Sequence, residues 1–297
     1  MPWIRALSHH QSPIENFILP REHYCASLSA RLRRAGDNRI HIPDVSQAHI
    51  FIEISNQQDA AHAPSITSLY YIERTGFSFI ICANRKRSAA ELIPLRRLIS
   101  PSLNKLFSCM GRAEDCETFG RMFGIEAKHK IDYFMMERQQ KYQQKYQPKH
   151  KPKHKPKHTI HRGAIQDAEK LLPLHIAYEK EEVILPGYVL NSMFLSRQFH
   201  EILRRERLFF CEMDGQAIAK VQTNARGLGV EQIGGVYTVP SLRRRGIGAL
   251  LIDRLSREIM QDGKGAVLFV KRHNEAAVKL YEKCGFNVTC RFTIMYF

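Results

Sequence analysis

A chain of 297 residues with 45 Lys and Arg against 29 Asp and Glu carries a formal charge of +16, a balance that favours anionic partners such as nucleotide phosphates, nucleic acid or an acidic membrane surface. The 44 % hydrophobic fraction suits globular cores and the length suits two domains, while no run of about 18 apolar residues is present to span a membrane and Met1 to His10 lack a signal-peptide core. The seven cysteines form no Cys-x-x-Cys pair, which argues against a disulfide framework or a structural zinc site and for a reducing, cytoplasmic setting.

Residues 1–137 read as an α/β lobe. His49 to Ser55 alternates with period two and predicts a strand. Thr67 to Glu73 and Phe77 to Ala83 predict two more, joined at Thr75-Gly76 as a hairpin. Ala89 to Ile99 predicts a helix, Asn104 to Met110 a strand, Ala113 to Phe123 a helix and Ile131 to Met136 a closing strand. Cys109 and Cys116 flank Gly111 and read as small buried hydrophobes rather than redox partners.

Residues 138–161 read as a linker. Lys141, Lys145, Lys149, Lys153 and Lys157 mark a four-residue repeat, and Pro148, Pro152 and Pro156 forbid a helix. Seven lysines in Lys141–His158 hold +7 of the total charge. Three readings stay open: a solvated spacer, a non-specific nucleic-acid contact through phosphates, and metal binding by His150, His154 and His158, which the interleaved lysines oppose. The first is favoured, and no metal is expected.

Residues 162–297 form the second half. A helix is predicted from Gln166 to Val183, kinked at Pro173, with Glu179, Glu181 and Glu182 gathered at its end. A second helix runs from Leu190 to Arg205. Leu208 to Glu212 and Ala217 to Thr223 read as strands joined by Asp214-Gly215. Glu231 to Val239 is the next strand, and Gly234-Gly235 inside it calls for a bulge or a close backbone approach by a ligand. Pro240 ends it. An amphipathic helix follows from Gly248 to Gln261, then a buried strand at Ala266 to Val270, a short helix capped by Asn274 and closed by Gly285, and final strands from Phe286 to Phe297.

The run Val236 to Gly248 stands out. Arg243, Arg244 and Arg245 with Gly246 and Gly248 sit at the entrance of a helix. The first N–H groups of a helix lack internal partners and carry partial positive charge, so such an entrance suits a pyrophosphate.

The run T-V-P-S-L-R-R-R-G-I-G resembles the GNAT acetyltransferase pattern V-x-P-x-Y-R-x-x-G-x-G/A, with Arg243, Gly246 and Gly248 at the defining positions. Thr238 and Leu242 depart from the usual Val and aromatic residue. A second run, with Asn274, Ala277, Leu280, Tyr281, Gly285 and Phe286, resembles that superfamily's other signature. The resemblance covers about residues 162 to 297. It implies a GNAT fold there: a mixed, mostly antiparallel central sheet flanked by helices, α/β (α+β) in class. The whole chain is also similar to two-part GNAT proteins whose N-terminal lobe is a degenerate acetyltransferase-like α/β lobe, on residues 109–115, 131–136 and 172–183.

The resemblance implies acetyl-CoA as cofactor. N–H groups from Arg244 through Arg245, Gly246, Ile247 and Gly248 to Ala249 would hold its pyrophosphate, with Arg243 beside them. Backbone groups of Val236, Tyr237 and Thr238 would pair with the pantetheine arm and polarise the thioester carbonyl. Tyr281 would protonate the leaving thiolate, and Asn274 would touch the cofactor or serve only as a cap. An amine acceptor must lose a proton, so a base is needed; Glu231 is one candidate, and Glu179, Glu181 and Glu182 are the others. Cys284, near a helix C-terminus, is a poor nucleophile. The expected function is an N-acetyltransferase working by direct attack in a ternary complex. The alternative is a non-catalytic acyl-CoA-sensing or nucleic-acid-associated protein.

Overall fold

A computed structural model describes residues 2–34, 36–55, 65–83, 88, 90–124, 126–138, 158–185, 187, 189 and 191–297. The lysine-rich run 141–157, with its nucleic-acid and metal readings, lies outside them. The chain divides into two compact units: Met1–Met135 with Val270–His273 and Val288–Phe297, and Met136–Phe269 with Asn274–Asn287.

In chain order the elements begin with β1 (Trp3–Arg5), α1 (Gln11–Ile18), α2 (Glu22–Leu32), β2 (Ala48–Ile54), β3 (Ile66–Glu73) and β4 (Phe77–Cys82). Next come α3 (Ile93–Ile99), β5 (Ser108–Arg112), α4 (Ala113–Phe123) and β6 (His129–Arg138). After the repeat come β7 (His158–Arg162), α5 (Ala168–Tyr178), a π-turn over Glu179–Val183, α6 (Ser192–Arg205), β8 (Leu208–Met213), β9 (Gln216–Arg226) and β10 (Val230–Thr238). Then follow α7 (Ile247–Gln261), β11 (Gly265–Lys271), α8 (Glu275–Lys283) and β12 (Phe286–Tyr296).

In the first unit β1 to β4 pair antiparallel in sequence order, β4 and β5 run parallel, and β12 pairs antiparallel with β5. Trp3, Phe51, Tyr70, Leu95, Phe119 and Met295 share its core. The expected strand at 104–110 begins later, at Ser108. Residues 100–105 wind as a tight helical turn, and the Phe107 and Ser108 N–H groups both donate to the Gly76 carbonyl, so ladder pairing starts only there. Residues 288–297, which the sequence reading places with 162–287, instead complete this unit: Phe292 to Tyr296 pair with Arg112 to Ser108.

In the second unit β7 to β10 pair antiparallel in order, and β10 and β11 run parallel. The sheets are thus mostly antiparallel with helices packed on them, as the expected class requires. β7 takes the last residues of the expected linker. His158–Arg162 is mostly exposed and has no apolar alternation, so only its register with Met213–Phe209 makes it a strand. Helix α5 continues through Pro173. Leu171, Leu174, Phe199, Leu203, Leu208, Phe210 and Tyr237 form a core between α5, α6 and the sheet. Leu251, Leu255 and Ile259, spaced by four, are fully buried on α7 as their period predicts. Among the described residues no helix is long and apolar enough to cross a membrane.

Candidate functional site

The mouth of α7 is built from the chain's own turn chemistry. Pro240 has no N–H to give a ladder, so β10 stops and a single tight turn, Pro240–Leu242, leads out. Arg244 and Gly246 then both adopt positive φ, 63° and 81°. Gly246 is the N-cap, and Leu250 N–H returns the first helical bond to its carbonyl at 3.1 Å. The N–H groups of Ile247, Gly248 and Ala249 precede that bond and point out of the helix end. A Cβ on Gly246 would meet nothing within 4 Å, so its backbone angle, rather than crowding, demands glycine. Arg244 and Arg245 are exposed beside this mouth. Arg243 is exposed as well, but it is engaged: the sequence reading groups it with the phosphate cations, whereas its Nε donates to Thr238 O at 3.0 Å and its Nη2 pairs with Glu181 at 2.7 Å. It braces the loop instead, because Glu181 faces it from the π-turn.

Upstream, β10 bulges. Gly234 is opposite Gln222 and Tyr237 opposite Lys220, so two residues of β10 face one of β9. Gly235 sits in the bulge at φ 56°, and a Cβ there would lie 2.5 Å from Gln222 Cγ. Beneath it lies a buried polar group that sequence reasoning misses. Lys220, fully buried, donates to Gly235 O at 3.0 Å and Gln222 Oε1 at 2.9 Å. The Tyr178 ring is 4.8 Å from its ammonium, and the Tyr178 hydroxyl faces the Gly235 N–H. The only hint in the sequence is a lysine inside the apolar run Ala217 to Val221. Burial brings Lys220 down to about 7, with Glu179 opposing the fall. Burial likewise pushes the Glu179 carboxyl up, against the pull of Lys220.

His175 stacks on Phe199 with centroids 4.5 Å apart, is fully buried, and has no hydrogen-bond partner at either ring nitrogen. Burial, then Lys220, lowers it to about 3. The unfolded imidazole, near 6.5, therefore binds a proton that the folded one refuses, and stability falls as pH drops from 6.5 toward 3. Between pH 6.5 and 4.5 this costs roughly 2–3 kcal/mol. Thermal melts of His175→Phe across that range should lose this part of the wild-type acid sensitivity; parallel curves for the two proteins would contradict it.

Tyr281 on α8 is buried, its ring 6.2 Å from Phe286. Burial first, then Tyr178 and Glu182, hold its hydroxyl well above the usual phenol range, so it stays a proton donor. Asn274 caps α8 by accepting from Ala277 N–H at 3.1 Å and donates to Glu182 at 3.3 Å. Cys284 is buried, and burial pushes its thiol up to about 12, which removes it as a nucleophile.

Glu231 does not suit a base. Its carboxylate is fully buried and meets Arg207 at 2.8 Å, Arg226 at 3.2 Å and Lys264 at 3.4 Å. Burial alone would raise it, yet Arg207 and Arg226 hold it below the usual carboxylate range. A carboxylate so enclosed holds strands together rather than accepting a substrate proton. Of the π-turn acids, Glu182 lies within electrostatic reach of both Tyr178 and Tyr281, and Glu179 within reach of Tyr178.

Residues 171–286 match the model of the Acetyltransferase (GNAT) family. No curated protein matches the chain. Among solved structures, a Drosophila protein from a structural-genomics programme aligns over 99 % of this chain and 98 % of its own, with a TM-score of 0.65 at 14 % identity. A GCN5-related N-acetyltransferase from Sphaerobacter thermophilus covers 98 % and 94 %, at TM-score 0.56 and 14 % identity. A GNAT-family acetyltransferase from Colwellia psychrerythraea covers 100 % of both chains, at TM-score 0.53 and 13 % identity. At such identities the likeness is one of fold. Both signature runs, the α7 mouth and the α8 cap, lie inside the segment 171–286 that matches the GNAT acetyltransferase family model.

Proposed function

We propose that this domain transfers an acetyl group from acetyl-CoA to an amine, by direct attack in a ternary complex. The observation that carries the reading is the α7 mouth: an open helix N-terminus entered through Gly246 at φ 81°, flanked by exposed Arg244 and Arg245 and preceded by the β10 bulge. The residues present fit the group. N–H groups of Ile247, Gly248 and Ala249 would bind the pyrophosphate, the two arginines would add charge, and Val236 to Thr238 would offer backbone partners to the pantetheine arm. Acetyl-CoA, when bound, supplies an activated thioester carbonyl.

The chain's own residues then manage protons. An amine with a pKa near 10.4 costs roughly 5 kcal/mol to deprotonate at pH 7. The π-turn carries the base in this reading, on Glu179 or Glu182. Glu181 is paired with Arg243, and Glu231 is enclosed by cations. Glu179 is the better matched, because burial raises its carboxyl toward working pH. Tyr281 is the donor to the departing thiolate. The lysine-rich run 141–157 has no part in this account.

The test is release of free coenzyme A thiol from acetyl-CoA against a panel of primary amines. Tyr281→Phe should lower kcat by about 100-fold, within the range for loss of a general acid, while acetyl-CoA affinity stays within about twofold. Equal turnover by the variant would remove Tyr281 from the mechanism. Binding without turnover for any amine would favour an acyl-CoA sensor.

A further inference from the structure

Gly235 is the residue on which the β10 bulge turns, and its two backbone groups face two side chains, the fully buried Lys220 and the half-buried Tyr178. Its carbonyl accepts from Lys220 Nζ at 3.0 Å, and its N–H faces the Tyr178 hydroxyl. Lys220 is held in turn by Gln222 Oε1 at 2.9 Å and by the Tyr178 ring. One lysine on β9 and one tyrosine on α5 therefore meet the two peptide groups that flank the Gly235 Cα, from two elements. The next residues along β10 are Val236 to Thr238: Tyr237 and Thr238 pair with Lys220 and Ala219 of β9 on one edge, and the register with β11 on the other edge ends at Ile233.

We propose that Lys220 is a positioning residue for acyl transfer: with Tyr178 it clamps Gly235, and so fixes the backbone of Val236 to Thr238 against the pantetheine arm. This rests on the reading of the domain as an acetyl-CoA-dependent transferase. Folding alone does not call for a lysine here. A fully buried ammonium is costly to desolvate, and a methionine of similar length would fill the same space without that cost. The burial that lowers Lys220 toward 7 is a measure of the same penalty. What the lysine adds is a charged donor aimed at one carbonyl, in a strand pair whose register is already broken at that point.

The clamp acts on the pantetheine arm and not on the phosphates, which gives it a distinct signature. Calorimetric titrations of wild type, Lys220→Met and Tyr178→Phe would use two probes: acetyl-CoA, and 3′-phospho-ADP, which is coenzyme A without its pantetheine arm. Lys220→Met should bind acetyl-CoA about tenfold more weakly and 3′-phospho-ADP within about twofold of wild type, with Tyr178→Phe shifted the same way by less. A variant that loses both probes together, with a lowered melting temperature, would show a structural role and overturn the clamp. Unchanged acetyl-CoA affinity in both variants would overturn it as well. Failure of the wild type to bind acetyl-CoA would remove the transferase reading and the clamp together, which sets that outcome apart from the other two.

Discussion

Gly246→Glu should weaken acetyl-CoA binding by about 100-fold or more while leaving the chain folded. Two effects add. At φ 81° any residue with a Cβ is strained by roughly 1–2 kcal/mol, which tilts the first turn of α7 away from its open geometry. The new carboxylate would then stand at the helix mouth, where the account places a pyrophosphate, and like charges a few ångströms apart in a partly desolvated site repel strongly. The fold should survive because a Cβ at this position meets nothing within 4 Å. Gly246→Ala separates the two effects, since it introduces the strain without the charge and should lose about tenfold or less. Equilibrium titration with acetyl-CoA measures all three proteins. Unaltered affinity in Gly246→Glu would place the phosphates elsewhere.

Glu231→Ala should be the most destabilising single change in the second unit, at about 3–5 kcal/mol. Its carboxylate is fully buried and answers Arg207, Arg226 and Lys264 together. Arg207 keeps Glu258 at 3.0 Å and an ion pair with Asp262, but Glu231 supplies its two contacts from inside the sheet. Removing Glu231 strips buried Arg207 of its carboxylate inside the sheet and leaves it only the partners at the edge, Glu258 and Asp262, where β8, β9 and β10 meet. Urea unfolding followed by circular dichroism should show an earlier transition for Glu231→Ala and for Glu231→Gln. If Glu231→Gln instead unfolds like wild type and only turnover is lost, the residue is a base after all and the ion cluster is secondary.

These two residues show what the sequence makes legible. The α7 mouth can be read locally, because Pro240, the arginines and Gly246 act within ten residues of each other through turn geometry and charge. Glu231 cannot, because its partners lie at positions 207, 226 and 264 and converge only when β8, β9, β10 and the end of α7 are in place. Lys220 and Tyr178 are hidden for the same reason: the bulge that gives them a role is a register shift between two strands, and Gly234-Gly235 signals the bulge without saying what grips it. Arg243 has the right neighbours in sequence but is claimed by Glu181, 62 residues earlier. Strand β7 has no periodicity of its own and exists only by pairing with β8. Phe286–Tyr296 is one strand where the sequence suggests more than one, and nothing in Phe286 to Phe297 reveals that most of it completes the first unit. Local turn and cap chemistry is thus readable in order along the chain, while ion clusters, edge strands and strand exchange depend on long-range register.

The most direct test of the central claim is calorimetric titration of the full-length protein with acetyl-CoA, with coenzyme A as competitor. The account predicts one saturable site per chain, in about the micromolar to sub-millimolar range, displaced by coenzyme A and lost in Gly246→Glu. Absence of saturable binding by the wild type at millimolar acetyl-CoA would contradict it.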